Sequence, residues 1–406
     1  MIYNDLEEQI SRDLTELCMA IGDRHPGSEH NRRATDYVSQ RFREAGAEVR
    51  TIPLNCLDWE CGEVMLRVGR EAITAFAGPY NESCEISGSF LAAATLAELA
   101  KLDVKNQILV LHGELCREQL AAKNFVFYNP EEHQQIIALL EEKQPRAIIA
   151  ITGCNPATTG ALSPFPLIED GDFLIPSLYV SEKEGTRILD HHWEEIYLRM
   201  DSRRIPALAY NVIAAKPGRS LERIVFCAHI DTKKGTPGAI DNAGGVCILM
   251  SLADLLQDYH GQYTIELLVI NGEDYYSYPG GMRYLTDNRG ALEQIRLVVN
   301  SDGAGSRGSR TSYCHFNADA TMIQALCTAF HDENRYLAVE PWYQSDHAMF
   351  ALHGVPAVAL TTEAFQAIWS TVAHTEKDTM DGVDAGILAG IAVSLRELID
   401  CLDQTL

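Results

Sequence analysis

The stretch from Ile224 to Gly245, IVFCAHIDTKKGTPGAIDNAGG, constrains the fold more than any other part of the chain. It opens with five apolar residues in a row, Ile224 to Ala228, where a strand with one wet face would alternate. Such a run suits a central strand of a parallel sheet covered on both sides. At its carboxyl end stand His229 and Asp231, and beyond a Gly- and Pro-containing loop come Asp241 and Asn242. Gly244 and Gly245 then lead into an apolar-periodic helix, Val246 to Leu256. In open α/β sheets, ligands settle beyond the carboxyl ends of the strands. An imidazole and a carboxylate therefore occupy the place where a ligand is expected.

The arrangement recurs. Ile265 to Ile270, apolar but for Glu266, ends in Gly272-Glu273-Asp274, and Leu297 to Val299 ends in Asn300-Ser301-Asp302. Val355 to Leu360 is a fourth run, with His374 on a loop after it. Several strands tipped with Asp, Glu and His imply convergence on a cation. Carboxylate oxygens with imidazole suit zinc, and a carboxylate shared by two ions suits a two-metal hydrolase. Asp231 lies two positions after His229, on the same side of an extended chain. Its carboxylate can accept the ring's other N–H, which fixes the tautomer and raises ligand basicity. Each residue also has a plainer role open to it: His229 as a satisfied core histidine, Asp241 as a helix cap, Glu273-Asp274 as a solvated turn.

Six segments, His229-x-Asp231, Gly238-Ala239-Ile240-Asp241-Asn242, Gly272-Glu273-Asp274, Asn300-Ser301-Asp302, Ser345-Asp346-His347 and His374-Thr375, follow one another in a recognisable order. In order and approximate spacing they resemble the M28 family of zinc aminopeptidases, over most of 224–406 and more weakly over the N-terminal segment. The resemblance implies a cocatalytic exopeptidase with two Zn²⁺ ions, one held by His229, Asp241 and Asp302 and the other by Asp241, Asp274 and His374. Asp241 would bridge the ions, followed by a cis peptide to Asn242. Three protein ligands per ion leave an open position for water, as catalytic zinc requires. Glu273 is implied as the general base, taking a proton from the bridging water and passing it to the leaving amine.

The chain departs from the family pattern at two points. Asp274 stands where the family more often has Glu. Ala373 stands where many relatives place a Tyr that holds the oxyanion, so Tyr343 is the substitute candidate, with packing as its alternative role. Asp346 and His347 either support the ligands or hold substrate. Trp342, Phe350 and Trp369 are candidates for an apolar side-chain pocket, although core packing is the default for aromatics.

Domain organisation follows from texture. Leu6 to Ile21 and Arg33 to Ala45 have helical apolar spacing, and Val49 to Leu54 reads as a strand. From about Asn55 to Arg204, short strand-like runs dominate, with a helix near Glu131 to Glu142. The stretch Leu99 to Val110 looks like the protease-associated insert of some M28 peptidases, with Asn106 where that pattern has Gly. The expected fold is α/β, a mostly parallel central sheet flanked by helices and interrupted by a β-rich insert. The expected boundaries are 1–55 with 206–406 for the catalytic domain and 56–205 for the insert.

Charge and cysteine usage narrow the partners. With a formal net charge of -24, nucleic acid and anionic membrane surfaces are poor partners. There is no apolar run of membrane-spanning length. Eleven cysteines without a C-x-x-C pair, and an N-terminus without a secretory layout, suggest a cytoplasmic protein. The expected partner is a peptide, and a homo-oligomer stays open. An aminopeptidase is the leading reading. The alternatives are a carboxypeptidase or dipeptidase of the same fold, with Arg307 and Arg310 as a carboxylate clamp, a one-zinc glutaminyl cyclase, or an inactive peptidase-like binding protein.

Overall fold

The computed structural model describes residues 3–126 and 129–404. It divides into two compact units, 1–56 with 208–406 and 57–207. The chain leaves the first unit within the strand Glu48–Val68 and re-enters it within the strand Ile196–Lys216.

Four parallel strands lie side by side in the first unit, in the order Thr264–Ile270, Arg223–His229, Ile295–Ser301, Ala357–Thr362. Beyond the last come Thr311–Phe316, antiparallel to it, and then Tyr336–Ala338. On the other side, residues 212–216 run antiparallel to Thr264–Ile270. The central strand explains its own sequence: every residue from Ile224 to His229 is buried. Burying each Ile, Val or Phe of such a strand contributes about 1.5–3 kcal/mol. The one acid in these runs, Glu266, is also buried, where it accepts the Tyr284 hydroxyl proton and pairs with Arg223.

Helices Tyr3–Thr15, Glu29–Glu44, Gly244–Leu255, Ala320–Ala329 and Ala385–Gln404 complete one core with the sheet. In the last helix Leu388, Ile391, Leu395, Leu398, Ile399 and Leu402 are buried, the three-and-four spacing of a single stripe. Ser28 starts Glu29–Glu44 by accepting the N–H of Asn31 at 3.0 Å. Asp13, fully buried, takes Tyr37 at 2.6 Å and Arg41 at 3.1 Å, and Arg41 reaches on to Asp254 at 2.9 Å. That network ties three helices together. No helix among the described residues is long and apolar enough to cross a membrane.

The second unit holds a five-stranded sheet in the order Phe76–Ala77, Ser177–Ser181, Ala147–Thr152, Ile108–Leu111, Phe90–Ala93, parallel except at the first pair. Helices Leu96–Lys101, Glu131–Lys143 and Glu182–Asp190 alternate with these strands. Two of these helices carry start signals that the strand-dominated reading passed over. Thr95 caps Glu98, whose carboxylate returns to the N–H of Ala94 at 2.8 Å, and Ser181 caps Glu184. Asn106 has φ 63°, a left-handed turn conformation that Asn tolerates in place of Gly.

One glycine sets how closely the helix after the central strand approaches the next strand. A Cβ on Gly245 would lie 2.3 Å from the carbonyl oxygen of Ser301, and backbone there has nowhere to go. Gly245→Ala should therefore lower the stability of the first unit by about 1–3 kcal/mol through overpacking. Its urea midpoint against the parent checks this, and an unchanged midpoint would contradict the close packing.

Candidate metal centre

Five side chains converge at the carboxyl ends of three adjacent parallel strands. His229 is the last residue of its strand, Asp302 follows Ser301 directly, and Asp274 lies four residues past Ile270. Asp241 sits on the loop before helix Gly244–Leu255, and His374 comes after helix Phe365–Thr371 with φ 63°. His229 Nε2 lies 3.1 Å from Asp241 Oδ1 and 3.4 Å from Asp302 Oδ1. His374 Nε2 lies 3.3 Å from Asp241 Oδ2 and 3.1 Å from Asp274 Oδ1. The two oxygens of Asp241 thus face different histidines. Ligand atoms of His229, Asp241 and Asp274 all fall within 4.8 Å of one another, close enough to share one metal ion.

Backbone contacts set these positions. The carboxylate of Asp231 accepts the N–H groups of Gly272, Glu273 and Asp274 at 2.6, 3.1 and 3.0 Å. It therefore anchors the Glu273 loop. The ring of His229 lies nearer the main-chain carbonyl of Asp231, with Nδ1 at 3.2 Å from that oxygen and 3.8 Å from Oδ1. Donation from Nδ1 to the carbonyl leaves the Nε2 lone pair facing the acids. Asn242 bridges a strand end and a helix start: its amide donates to Ser301 O at 2.8 Å and accepts from Gly245 N at 3.1 Å. The Asp241-Asn242 peptide is cis, as the family resemblance implied.

Electrostatics test whether a cation fits. Burial disfavours charge on His229, yet Asp302 and Asp241 outweigh it and hold the ring's pKa well above the imidazole range. Burial likewise opposes charge on His374, but Asp274 and Asp241 push it up to about 10. Burial would raise Asp241, and the two histidines overcome that and hold it well below the usual carboxylate range. His229 Nε2 and Asp274 Oδ2 are buried without hydrogen-bond partners. The acids thus favour a proton on each ring. An oxygen-and-imidazole set with orphaned buried donor atoms fits zinc, whose binding would replace those protons.

Burial pushes Glu273 well above the ordinary carboxyl range, and Asp302, Asp274 and Asp346 add to this against the pull of His229. Glu273 therefore lies inside the same electrostatic cluster. Asp346 is fully buried with one oxygen taking the Tyr278 hydroxyl at 2.7 Å and the other unbonded. His347 is buried against the carbonyl of Trp342 at 2.7 Å.

Tyr343 is 54% exposed and tilts against Phe316, outside the ion-pair network. Phe350 is core, edge-on to Tyr284. Trp342 and Trp369 instead flank Phe365 in a row of half-buried rings. That row ends with Trp369 edge-on to the His374 ring at 4.8 Å. Arg307 and Arg310 are both engaged, the first with the carbonyls of Asp381 and Val383, the second bidentate with Glu363. Sequence reasoning missed Phe365, Tyr278, Arg24 and Asp378, none of which falls within a recognisable strand-end pattern.

Comparison with known proteins bears on the fold and on the family pattern. Residues 211–399 match the sequence model described as Peptidase family M28. Carboxypeptidase Q of Bos taurus is 22% identical over 402 residues, covering 94% of this chain and 83% of that protein. The aminopeptidase from Aneurinibacillus sp. strain AM-1 superposes with a TM-score of 0.74 at 18% identity, covering 97% of this chain and 93% of that one. A zinc aminopeptidase from Bacillus subtilis gives 0.74 at 15% identity over 97% and 94%. The chain has the fold of these aminopeptidases, and the M28 match supports metallopeptidase activity.

The raised imidazole pKa values predict a measurable exchange. At pH 7 both rings hold their protons in the cation-free protein, and zinc requires their lone pairs. Titrating zinc into chelated protein in weak buffer should release about two protons per chain, read with a pH indicator. Uptake without proton release would show that the histidines are not the ligands.

Proposed function

We propose that this chain is a zinc-dependent exopeptidase that removes residues from the amino termini of peptides and works with two ions. The observation that carries the two-ion reading is the orientation of Asp241, with Oδ1 toward His229 and Oδ2 toward His374. His229, Asp241 and Asp302 would hold one ion; Asp241, Asp274 and His374 would hold the other. Zinc bound there supplies Lewis acidity for the scissile carbonyl and acidifies water.

The rest of the reaction belongs to the chain's own groups. Glu273, whose loop is fixed by the Asp231 carboxylate, is the proton acceptor. With zinc held by the neighbouring residues, the Glu273 carboxylate would take a proton from water and deliver it to the departing amine nitrogen. The row Trp342, Phe365 and Trp369 offers an apolar wall beside His374 for the side chain next to the scissile bond. The region 57–207, whose Leu99 to Val110 stretch resembles the protease-associated insert, is assigned to that class of insert on the resemblance alone.

A carboxypeptidase reading is favoured by the 22% identity to carboxypeptidase Q over nearly the whole chain. Against it, the two arginines suggested as a carboxylate clamp are already taken. A panel of matched free and N-acetylated peptides separates the two: cleavage confined to the free peptides supports the amino-terminal reading, and indifference to acetylation overturns it. Glu273→Gln should lower kcat about 10²–10⁴-fold while zinc content, measured by atomic absorption, stays at the parent's level. Loss of zinc with activity would mean that Glu273 is a ligand and not the base.

A further inference from the structure

The loop that carries Asp241 is gripped from two sides by buried charges that the reaction does not use. Arg24 is fully buried. Its guanidinium donates only to backbone carbonyls: Ile230 at 2.9 Å, Leu17 and Gly22 at 3.1 Å, Pro237 at 2.7 Å and Gly238 at 2.8 Å. Two of these lie on the loop three and four residues before Asp241.

Asp378 is also fully buried and accepts only backbone N–H groups on that loop from the other polarity. Its Oδ1 takes Ile240 N at 2.8 Å and its Oδ2 takes Asp241 N at 3.0 Å, while its carbonyl takes Ala239 N at 3.2 Å. Asp378 also stands four residues after His374, on a turn closed by its own N–H to Thr375 O at 3.2 Å.

A cation thus holds the carbonyls of residues 237 and 238, and an anion holds the amides of 240 and 241. Between the two grips, Gly238 has φ 59°, and a Cβ there would lie 2.2 Å from Thr232 Cγ2 and 2.6 Å from Asp241 O. The loop is pressed home with no slack. A buried charge persists only when its hydrogen-bonding capacity is met, and here the loop backbone meets it for both residues.

We infer that Arg24 and Asp378 are positioning residues for Asp241, fixing that carboxylate between the two histidines before any cation arrives. The inference rests on the metallopeptidase reading of Asp241, but the loop clamp itself does not require a metal. Arg24 and Asp378 touch neither substrate nor ion; they set the geometry into which the ions fall, and with it the spacing of the two halves of the centre.

The first test uses the unaltered protein. Hydrogen exchange of residues 237–243, followed by mass spectrometry or NMR, should give slow rates at Ile240 and Asp241 that change by less than about threefold on chelation of zinc. Release of those two amides by chelation, with the sheet still protected, would show that the metal and not the clamp holds the loop. The second test is Asp378→Asn, which turns an N–H₂ group toward backbone donors. Zinc affinity, from competition with a chelator, should fall about 10–100-fold and kcat with it, with KM little changed. Asp378→Glu, which keeps both acceptors, should recover part of each. A folded Asp378→Asn with parental zinc affinity and kcat overturns the inference, and if that variant does not fold, the exchange experiment decides. Should the unaltered protein take up no zinc, the metallopeptidase reading fails while the exchange rates still answer for the clamp.

Discussion

The mutual repulsion of the acids at the strand ends is the constraint that the rest of the catalytic unit answers. Asp241, Asp274, Asp302 and Glu273 are crowded around two imidazoles with little water to screen them. In such surroundings like charges cannot all ionise unless positive charge is supplied. The same pressure shifts the titrating groups: the acids hold both imidazoles above their ordinary range, and burial holds Glu273 above the ordinary carboxyl range. A divalent ion relieves the same strain more effectively, because it brings two charges to a point that several oxygens can share. Affinity for metal is in this sense a consequence of where the strands end.

Holding such a cluster together requires that its positions not depend on the acids themselves. Backbone hydrogen bonds do most of this. Asp231 gathers three consecutive amides of the Glu273 loop, and Asn242 ties the end of one strand to the helix beside another. A reciprocal pair of amides, Asn31 with Asn271 at 2.9 and 3.0 Å, fixes the residue just before Gly272 to helix Glu29–Glu44. Most of these contacts are formed with main chain, so swelling of the acid cluster would have to break several at once. The apolar strands below supply the cohesion against which the anchors pull.

The division between what could be read in the sequence and what could not follows from sequence distance. Unbroken apolar runs ending in His, Asp or Glu mark their strands and their ligands locally, so His229, Asp302 and Asp274 announce themselves within a few residues. His374 lacks such a strand beside it and was legible through its motif. Arg24 was invisible because its partners at Ile230, Pro237 and Gly238 lie more than 200 residues away. Asp378 looks like any acid in a polar loop until its amide partners at 240 and 241 are seen. The Asp231 carboxylate shows the same limit: its neighbour in sequence suggested the His229 ring, whereas it reaches amides some forty residues on. In the second unit, alternating short runs suggested strands; the helix near Glu131 to Glu142 was legible, whereas Leu96–Lys101 and Glu182–Asp190 were hidden by their shortness despite well-formed caps.

The same charge balance bears on which end of a peptide the centre accepts. A free amino terminus brings a cation into surroundings rich in carboxylates, where its Coulomb energy is favourable. A free carboxylate would add another anion and would need a dedicated partner close by. Arg310 is committed to Glu363, and Arg307 spends its donors on two carbonyls. Both pairings are partly exposed and modest in strength, so these arginines are engaged elsewhere without being locked in place. Lys233 donates to the carbonyl of Asp274 at 2.7 Å, so this cation helps shape the ligand loop. For the proposed exopeptidase, the cheaper fit is therefore the ammonium end, whose charge the acids would take, with the aromatic row beside His374 open to the adjoining side chain.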